Sequence, residues 1–152
     1  MSDEVLRAVA SFVFACDLPK GEVDILWHAG EPMAAGLASY EHAFEIINRV
    51  APPGIAVHHV IQTNGTLITP EWCALLSRYH VRIGLSIDGP AEIHDASRQT
   101  WNGKATHNKA MRGYHLLREA GLSPGIICVL TRESLRFCRA SVENGESVRP
   151  LR

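Results

Sequence analysis

The chain has 152 residues, 46% of them hydrophobic and 20% charged, which suits one globular domain with a real core. Fifteen Lys plus Arg against sixteen Asp plus Glu leave a formal charge of −1, giving no general field for nucleic acid or an anionic membrane surface. A complete eight-stranded β/α barrel needs about 250 residues, and no apolar run approaches the roughly 20 that span a bilayer. Ser2 is placed to cap a helix over Asp3 to Cys16, with Val5, Val9, Phe12 and Val13 as its apolar stripe. A turn over Asp17 to Gly21 leads into a buried strand, Val23 to Trp27. The loop from His28 to Gly36 is rich in small residues, and after it Tyr40, Phe44, Ile47 and Val50 recur at helical spacing.

Pro52-Pro53-Gly54 separates that helix from a second strand, Ala56 to Ile61, which Thr63-Asn64-Gly65 ends. Thr69-Pro70-Glu71 combines an N-cap hydroxyl, a first-turn proline and a first-turn acid, predicting a helix to about Tyr79. Val81 to Ser86 reads as the third strand, followed by a long loop over Asp88 to Lys104. A helix over Thr106 to Ala120 has Gly121 as its C′ residue, and Gly125 to Leu130 is the fourth strand. Thr131 can cap one more helix. Beyond Arg136 the pattern fades, so 136–152 is expected to be a poorly ordered tail on a core of 1–135. Alternation of this kind is α/β, with about four parallel strands, right-handed crossovers and helices outside.

In parallel β/α architectures, functional groups gather where strands end and loops begin. Three clusters sit at three such positions in succession: Trp27-His28-Ala29-Gly30-Glu31-Pro32, Gln62-Thr63-Asn64-Gly65-Thr66 and Ser86-Ile87-Asp88-Gly89-Pro90. Each alone reads equally well as a turn. Together, on one rim, they point to a ligand site. Gly30 lets backbone approach a ligand, and Pro32 stiffens the chain after Glu31. Asn64, Ser86 and Asp88 offer donors and acceptors suited to amino, carboxylate and ribose groups. No GxGxxG or Walker sequence is present, so the expected ligand is polar and lacks phosphate.

His28, Glu31 and the His94-Asp95 pair leave open a metal-dependent hydrolase at a barrel mouth, although no strand carries a His-x-His pair. His58 and His59 face opposite sides of a strand. Ser86 has no G-x-S-x-G elbow around it. Cys16, Cys73, Cys128 and Cys138 form no CxxC, and most are expected to be buried apolar residues. Reduced thiols and an acidic N-terminus, where a signal peptide would be basic, predict the cytoplasm.

The three clusters resemble those of the radical S-adenosylmethionine (SAM) enzymes, specifically the SPASM-domain peptide and protein maturases. Residues 27–32 are similar to the family's Gly-Gly-Glu-Pro motif, with Ala29 where the first glycine usually stands. Gln62 to Ile68 with Glu71-Trp72 resembles the next strand end, and Gly84 to Pro90 with Ile93-His94-Asp95 and Arg98 the one after. Gly103, Thr106, Met111-Arg112-Gly113 and Val129-Leu130-Thr131 continue the likeness. The closest flavour is that of anaerobic sulfatase-maturating enzymes and of cyclophane-forming maturases of glycine-rich repeat peptides.

The resemblance implies a fragment of a partial β/α barrel that holds SAM and a 4Fe–4S cluster. Reductive cleavage of SAM would yield a deoxyadenosyl radical that abstracts hydrogen from a peptide or protein substrate, with an electron donor as second partner. It assigns Gly30, Glu31 and Pro32 to the SAM amino group through their backbone. Asn64 and Ser86 go to other polar groups, and Arg98 to the carboxylate. His28 would lie near SAM and substrate, and Asp88 would contact SAM or brace its loop. The family's Cys-x-x-x-Cys-x-x-Cys is absent from the sequence. The resemblance places that triad upstream of the segment matching Met1 to Leu6, and further strands and the SPASM region downstream. A fragment truncated at both ends is therefore expected, inactive alone and poorly soluble because of its open sheet edges. The alternatives are the metal-dependent hydrolase and a non-catalytic remnant that binds SAM or peptide.

Overall fold

The computed structural model describes residues 1–16 and 21–136. Helix α1 (Asp3–Ala15) starts where Ser2 Oγ accepts from the Val5 amide at 3.4 Å, and Asp3 and Glu4 lie in its positive first turn. Strand β1 (Glu22–Trp27) follows, then a short 3-10 turn over Pro32–Ala35 and helix α2 (Leu37–Val50). Next come β2 (Ala56–Thr63), α3 (Pro70–Arg78), β3 (Arg82–Ser86), α4 (Ala91–Ser97), α5 (His107–Glu119) and β4 (Gly125–Ile127). The four strands form one parallel sheet in the order β1-β2-β3-β4. This is the α/β arrangement expected of a partial barrel.

Parallel register fixes which side chains face the helices. Ile25 pairs with His59 and Trp27 with Ile61, while Ile61 pairs with Ile83 and Thr63 with Leu85. These residues alternate with half-buried ones such as Gln62 and Ser86, which therefore share the other face. The helix-side core is built on Phe44, Ile61, Ile68, Leu76, Leu85 and Leu117. An aromatic group reinforces it, with Trp27 edge-on to Tyr40 at 5.2 Å and Tyr40 edge-on to Trp72 at 5.4 Å.

Several expectations change in detail. The loop foreseen over Asp88 to Lys104 contains α4 and a hairpin-like bridge, Gln99 to Ala105. Pro90 at the N-cap and Glu92 in the first turn are the local signals that a seven-residue helix leaves. The fourth strand stops at Ile127 instead of Leu130, because the Val129 amide leaves the ladder to bond Asp88 Oδ1 at 2.8 Å. The apolar stripe of α1 faces largely outward: Val9 is 53% exposed and Phe12 72%. Of the three described cysteines only Cys73 is buried. Cys16 and Cys128 are exposed because they lie just past the ends of α1 and β4, where no layer covers them. Cys138 lies outside the described residues, as does most of the turn foreseen from Asp17 and, after Arg136, the expected tail.

Two termini follow the sequence closely. Gly121 adopts φ +77 after α5, and the Leu122 amide returns to the Leu117 carbonyl at 2.9 Å. Thr131 and Ser134 exchange bonds, Thr131 N to Ser134 Oγ at 2.8 Å and Ser134 N to Thr131 Oγ1 at 3.1 Å, opening helical turns at 132–136. Among the described residues no helix is long and apolar enough to cross a membrane.

Candidate functional site

Because the strands are parallel, the residues after β1, β2 and β3 share one rim. The first rim loop is bent by two successive positive φ values, +99 at Ala29 and +56 at Gly30. No atom lies within 4 Å of where a Cβ of Gly30 would stand, so the backbone there is open on its outer side. Ala29 has a Cβ in a region that favours glycine, a strain of about 1–3 kcal/mol that the surroundings must hold.

Glu31 holds it. One carboxylate oxygen accepts from the Met33 amide at 3.1 Å and from the Thr63 hydroxyl at 2.5 Å. The other accepts from the Asn64 amide at 2.9 Å. The Glu31 side chain thus joins its own loop to the end of β2, and its oxygens are engaged within the protein. The Gly30 backbone is open on its outer side, while the Glu31 carbonyl accepts from the Ala34 amide at 3.1 Å. Burial, with the Glu31 charge second, pushes the neighbouring Tyr40 phenol up to about 12, so it stays protonated.

Asn64 Oδ1 accepts from the amide and hydroxyl of Thr66 at 2.9 and 2.8 Å, an Asx turn that leaves its NH2 group for other contacts. Ser86 Oγ accepts from Gln62 Nε2 at 3.0 Å, and the Gln62 amide lies across Gly84, where a Cβ would meet Oε1 at 2.0 Å. Ser86 keeps its own hydroxyl proton to donate. Gln62 lies within the second strand-end motif, and its contact with Ser86 depends on register between β2 and β3, which no local signal reveals. His28 is exposed at the end of β1.

Arg98 and Asp88 are paired. Arg98 Nε donates to Asp88 Oδ2 at 2.5 Å and Nη2 to Oδ1 at 3.1 Å. Asp88 also accepts from Val129 N and, at 3.4 Å, from Ser97 Oγ, so one carboxylate links β3, α4 and the end of β4. Burial alone would raise this carboxyl, but the Arg98 and Val129 hydrogen bonds and the Arg98 charge outweigh it and hold it below the usual carboxylate range. Arg98 retains Nη1 and the second Nη2 hydrogen for other contacts. Beside the pair, buried His94 accepts from the Asp88 amide at 3.3 Å and meets Thr106 Oγ1 at 3.1 Å. Asp95 Oδ1 accepts from the Thr106 and His107 amides, both at 2.8 Å, and so caps α5.

His28, Glu31 and His94 are not assembled into a metal site: among the described residues no group of three or more His, Cys, Asp or Glu is placed to hold an ion. A groove of about 710 Å³ lies between α1 and β1, and its end is bordered by His28, Ala29, Glu31 and Pro32. Asn64 and Ser86 do not line it, so the polar rim and this apolar groove are neighbours and not one cavity.

The profile of the Radical SAM superfamily matches residues 5–136. The chain is 37% identical over 138 residues to the uncharacterized protein sll1766 of Synechocystis, covering 88% of this chain and 35% of that one. It is 36% identical over 112 residues to the serine-type anaerobic sulfatase-maturating enzyme of Klebsiella aerogenes, covering 74% and 28%. The solved structure of native anSMEcpe with bound AdoMet and Cp18Cys peptide superposes with a TM-score of 0.84 at 31% identity, covering 94% of this chain and 39% of that one. The chain thus spans about a third of the length of the curated relatives it matches.

Proposed function

The chain belongs to the radical SAM superfamily, and from that premise we propose that its rim is a SAM-binding half-site of a peptide or protein maturase. The observation that carries this reading is the convergence of the Gly30-Glu31 backbone, Asn64 and Ser86 on one rim, with Glu31 locked by Thr63 and Asn64. An ammonium group needs acceptors, and this loop offers the carbonyl of Gly30 and the second lone pair of the Glu31 carbonyl, whose first accepts from the Ala34 amide. Ser86 Oγ and the Asn64 NH2 group suit the carboxylate and hydroxyls of the same ligand. Arg98, with Asp88 occupying two of its nitrogens, orients the β3 loop and offers Nη1 towards the ligand carboxylate. His28 stands exposed where a substrate side chain would approach. Bound here and given one electron by a cluster supplied from elsewhere, SAM would provide hydrogen-abstracting radical chemistry. The peptide class of substrate is supported by the maturase relatives and by the peptide in the structural neighbour.

The described residues do not fit a 4Fe–4S cluster. Cys16 follows α1, Cys73 is buried in α3, and Cys128 follows β4, so no three thiolates converge. The reading is therefore SAM binding without SAM cleavage by this chain alone, the cluster ligands and an electron donor being supplied from elsewhere. Calorimetric titration with SAM tests the half-site. Binding at one equivalent, weakened about tenfold in Ser86→Ala, is the expected result, and no detectable heat from a folded chain overturns it. Anaerobic iron–sulfur reconstitution tests the second half: a stable cluster with deoxyadenosine formation would show the chain to be self-sufficient.

A further inference from the structure

Thr63 is buried at the end of β2, with 1% of its surface exposed. Its hydroxyl oxygen accepts from the Gly65 amide at 3.1 Å, and Gly65 turns the chain away from the strand with φ +75. With that lone pair engaged, the hydroxyl proton is directed to Glu31 Oε1, 2.5 Å away. Two bends 35 residues apart in sequence are therefore coupled through one hydroxyl: the Ala29-Gly30 bend after β1 and the Asn64-Gly65 bend after β2.

We propose that Thr63 is a positioning residue for SAM recognition: through Glu31 it fixes the backbone of the Gly30-Glu31 cradle without touching the ligand. The inference rests on the SAM reading above and adds the residue that sets the cradle's shape. Each neighbouring group is committed. Glu31 has donors on both oxygens, so it cannot rotate outward without losing three hydrogen bonds to a charged acceptor. The Met33 amide starts the 3-10 turn that carries the loop away from the rim. Loss of the Thr63 hydroxyl leaves Glu31 Oε1 with one donor in place of two and removes one of the two bonds that tie the loop after β1 to the end of β2. The positive φ at Ala29 then has less to hold it. A hydroxyl is needed here and a methyl is not, so serine should serve in place of threonine while valine, nearly the same shape, should not.

The test compares the full chain with Thr63→Val and Thr63→Ser in two measurements. In the ligand-free protein, amide hydrogen exchange is read at Met33 and Asn64, the two backbone donors to Glu31. Exchange about tenfold faster in Thr63→Val, within about twofold of the parent in Thr63→Ser, and unchanged in the β2–β3 ladder is the expected result. Unchanged exchange at both amides in Thr63→Val overturns the clamp. Calorimetry then reads SAM affinity, expected to fall about tenfold in Thr63→Val and to recover in Thr63→Ser. Equal affinity in all three overturns the positioning role. If the parent chain binds no SAM, the half-site reading fails and the ligand role of Thr63 with it, while the exchange data still decide the clamp. If Thr63→Val does not fold, Glu31→Gln tests the clamp from its other end: glutamine keeps one acceptor oxygen, so its NH2 group must oppose either the Thr63 and Met33 donors or the Asn64 amide. Faster exchange at Met33 or Asn64 is then expected, and unchanged exchange at both overturns the clamp.

Discussion

A methyl group on the α-carbon of Gly113 would lie 2.2 Å from the carbonyl oxygen of Gly65. Helix α5 therefore packs directly beneath the loop that carries Asn64, and the absence of a side chain at Gly113 sets how close that loop comes. Gly113→Ala should destabilise the chain by about 1–3 kcal/mol, since backbone must move to relieve the clash. The helix-propensity gain of about 1 kcal/mol from Gly to Ala opposes this and is the smaller effect. A urea midpoint that rises in Gly113→Ala would show that the loop gives way freely. Displaced amide resonances at Gly65 and Thr66 would locate the strain.

Ala29 stands at φ +99 with a Cβ that this conformation disfavours. Ala29→Gly should raise stability by up to about 1 kcal/mol, the relief of strain exceeding the added chain entropy of glycine in the unfolded state. Thermal or urea unfolding measures it. A loss of stability would mean that the surroundings, and not φ, dominate at this residue.

His59 is 2% exposed, stacked on Phe44 with ring centroids 4.2 Å apart, and accepts from Trp27 Nε1 at 3.3 Å. Burial, with the charge of His58 second, pulls its pKa down to about 4. Below an ordinary value near 6.5 the unfolded chain gains a proton that the folded chain refuses until about pH 4. Stability from His59 is thus complete above pH 6.5 and is lost as the pH falls towards 4, by roughly 3 kcal/mol. Buried His94 is shifted in the same direction, mainly by burial. Urea stability followed from pH 7 to 4 should fall, with a shallower slope in His59→Gln. An identical slope in that variant would assign the effect elsewhere.

The Arg98–Asp88 pair uses the forked geometry of a guanidinium, so Arg98→Lys is not a conservative change here. It should lower stability by about 1–3 kcal/mol, below the full value for a buried pair because Arg98 is partly solvated. The Asp88 carboxyl should titrate closer to its ordinary value in the variant, a rise visible in its carbon chemical shift against pH. If that titration does not move, Val129 and Ser97 suffice to hold the carboxylate.

The alternation of strand and helix was legible in the chain because it depends on local signals: short apolar runs bounded by turn residues in β2 and β3, apolar residues three and four apart in α2 and α5, and caps such as Thr69 and Gly121. Those signals lie within one element and need no partner. They also placed Gly30, Asn64 and Ser86 at strand ends, and so on one rim once the strands are parallel. The triad of cysteines that a cluster needs could likewise be seen to be missing from the sequence by inspection alone.

Tertiary structure decided what each polar group does, because its partners lie many residues away. The Glu31 carboxylate faces inward to Thr63 and Asn64, and Arg98 is held by Asp88. His59 became a core residue, and the Asp88 carboxylate took the Val129 amide that a longer β4 would have used. A sequence window contains the donors and acceptors but not their distances. A buried charge settles where the fold brings enough hydrogen bonds to replace water, and only packing the sheet against its helices fixes that place.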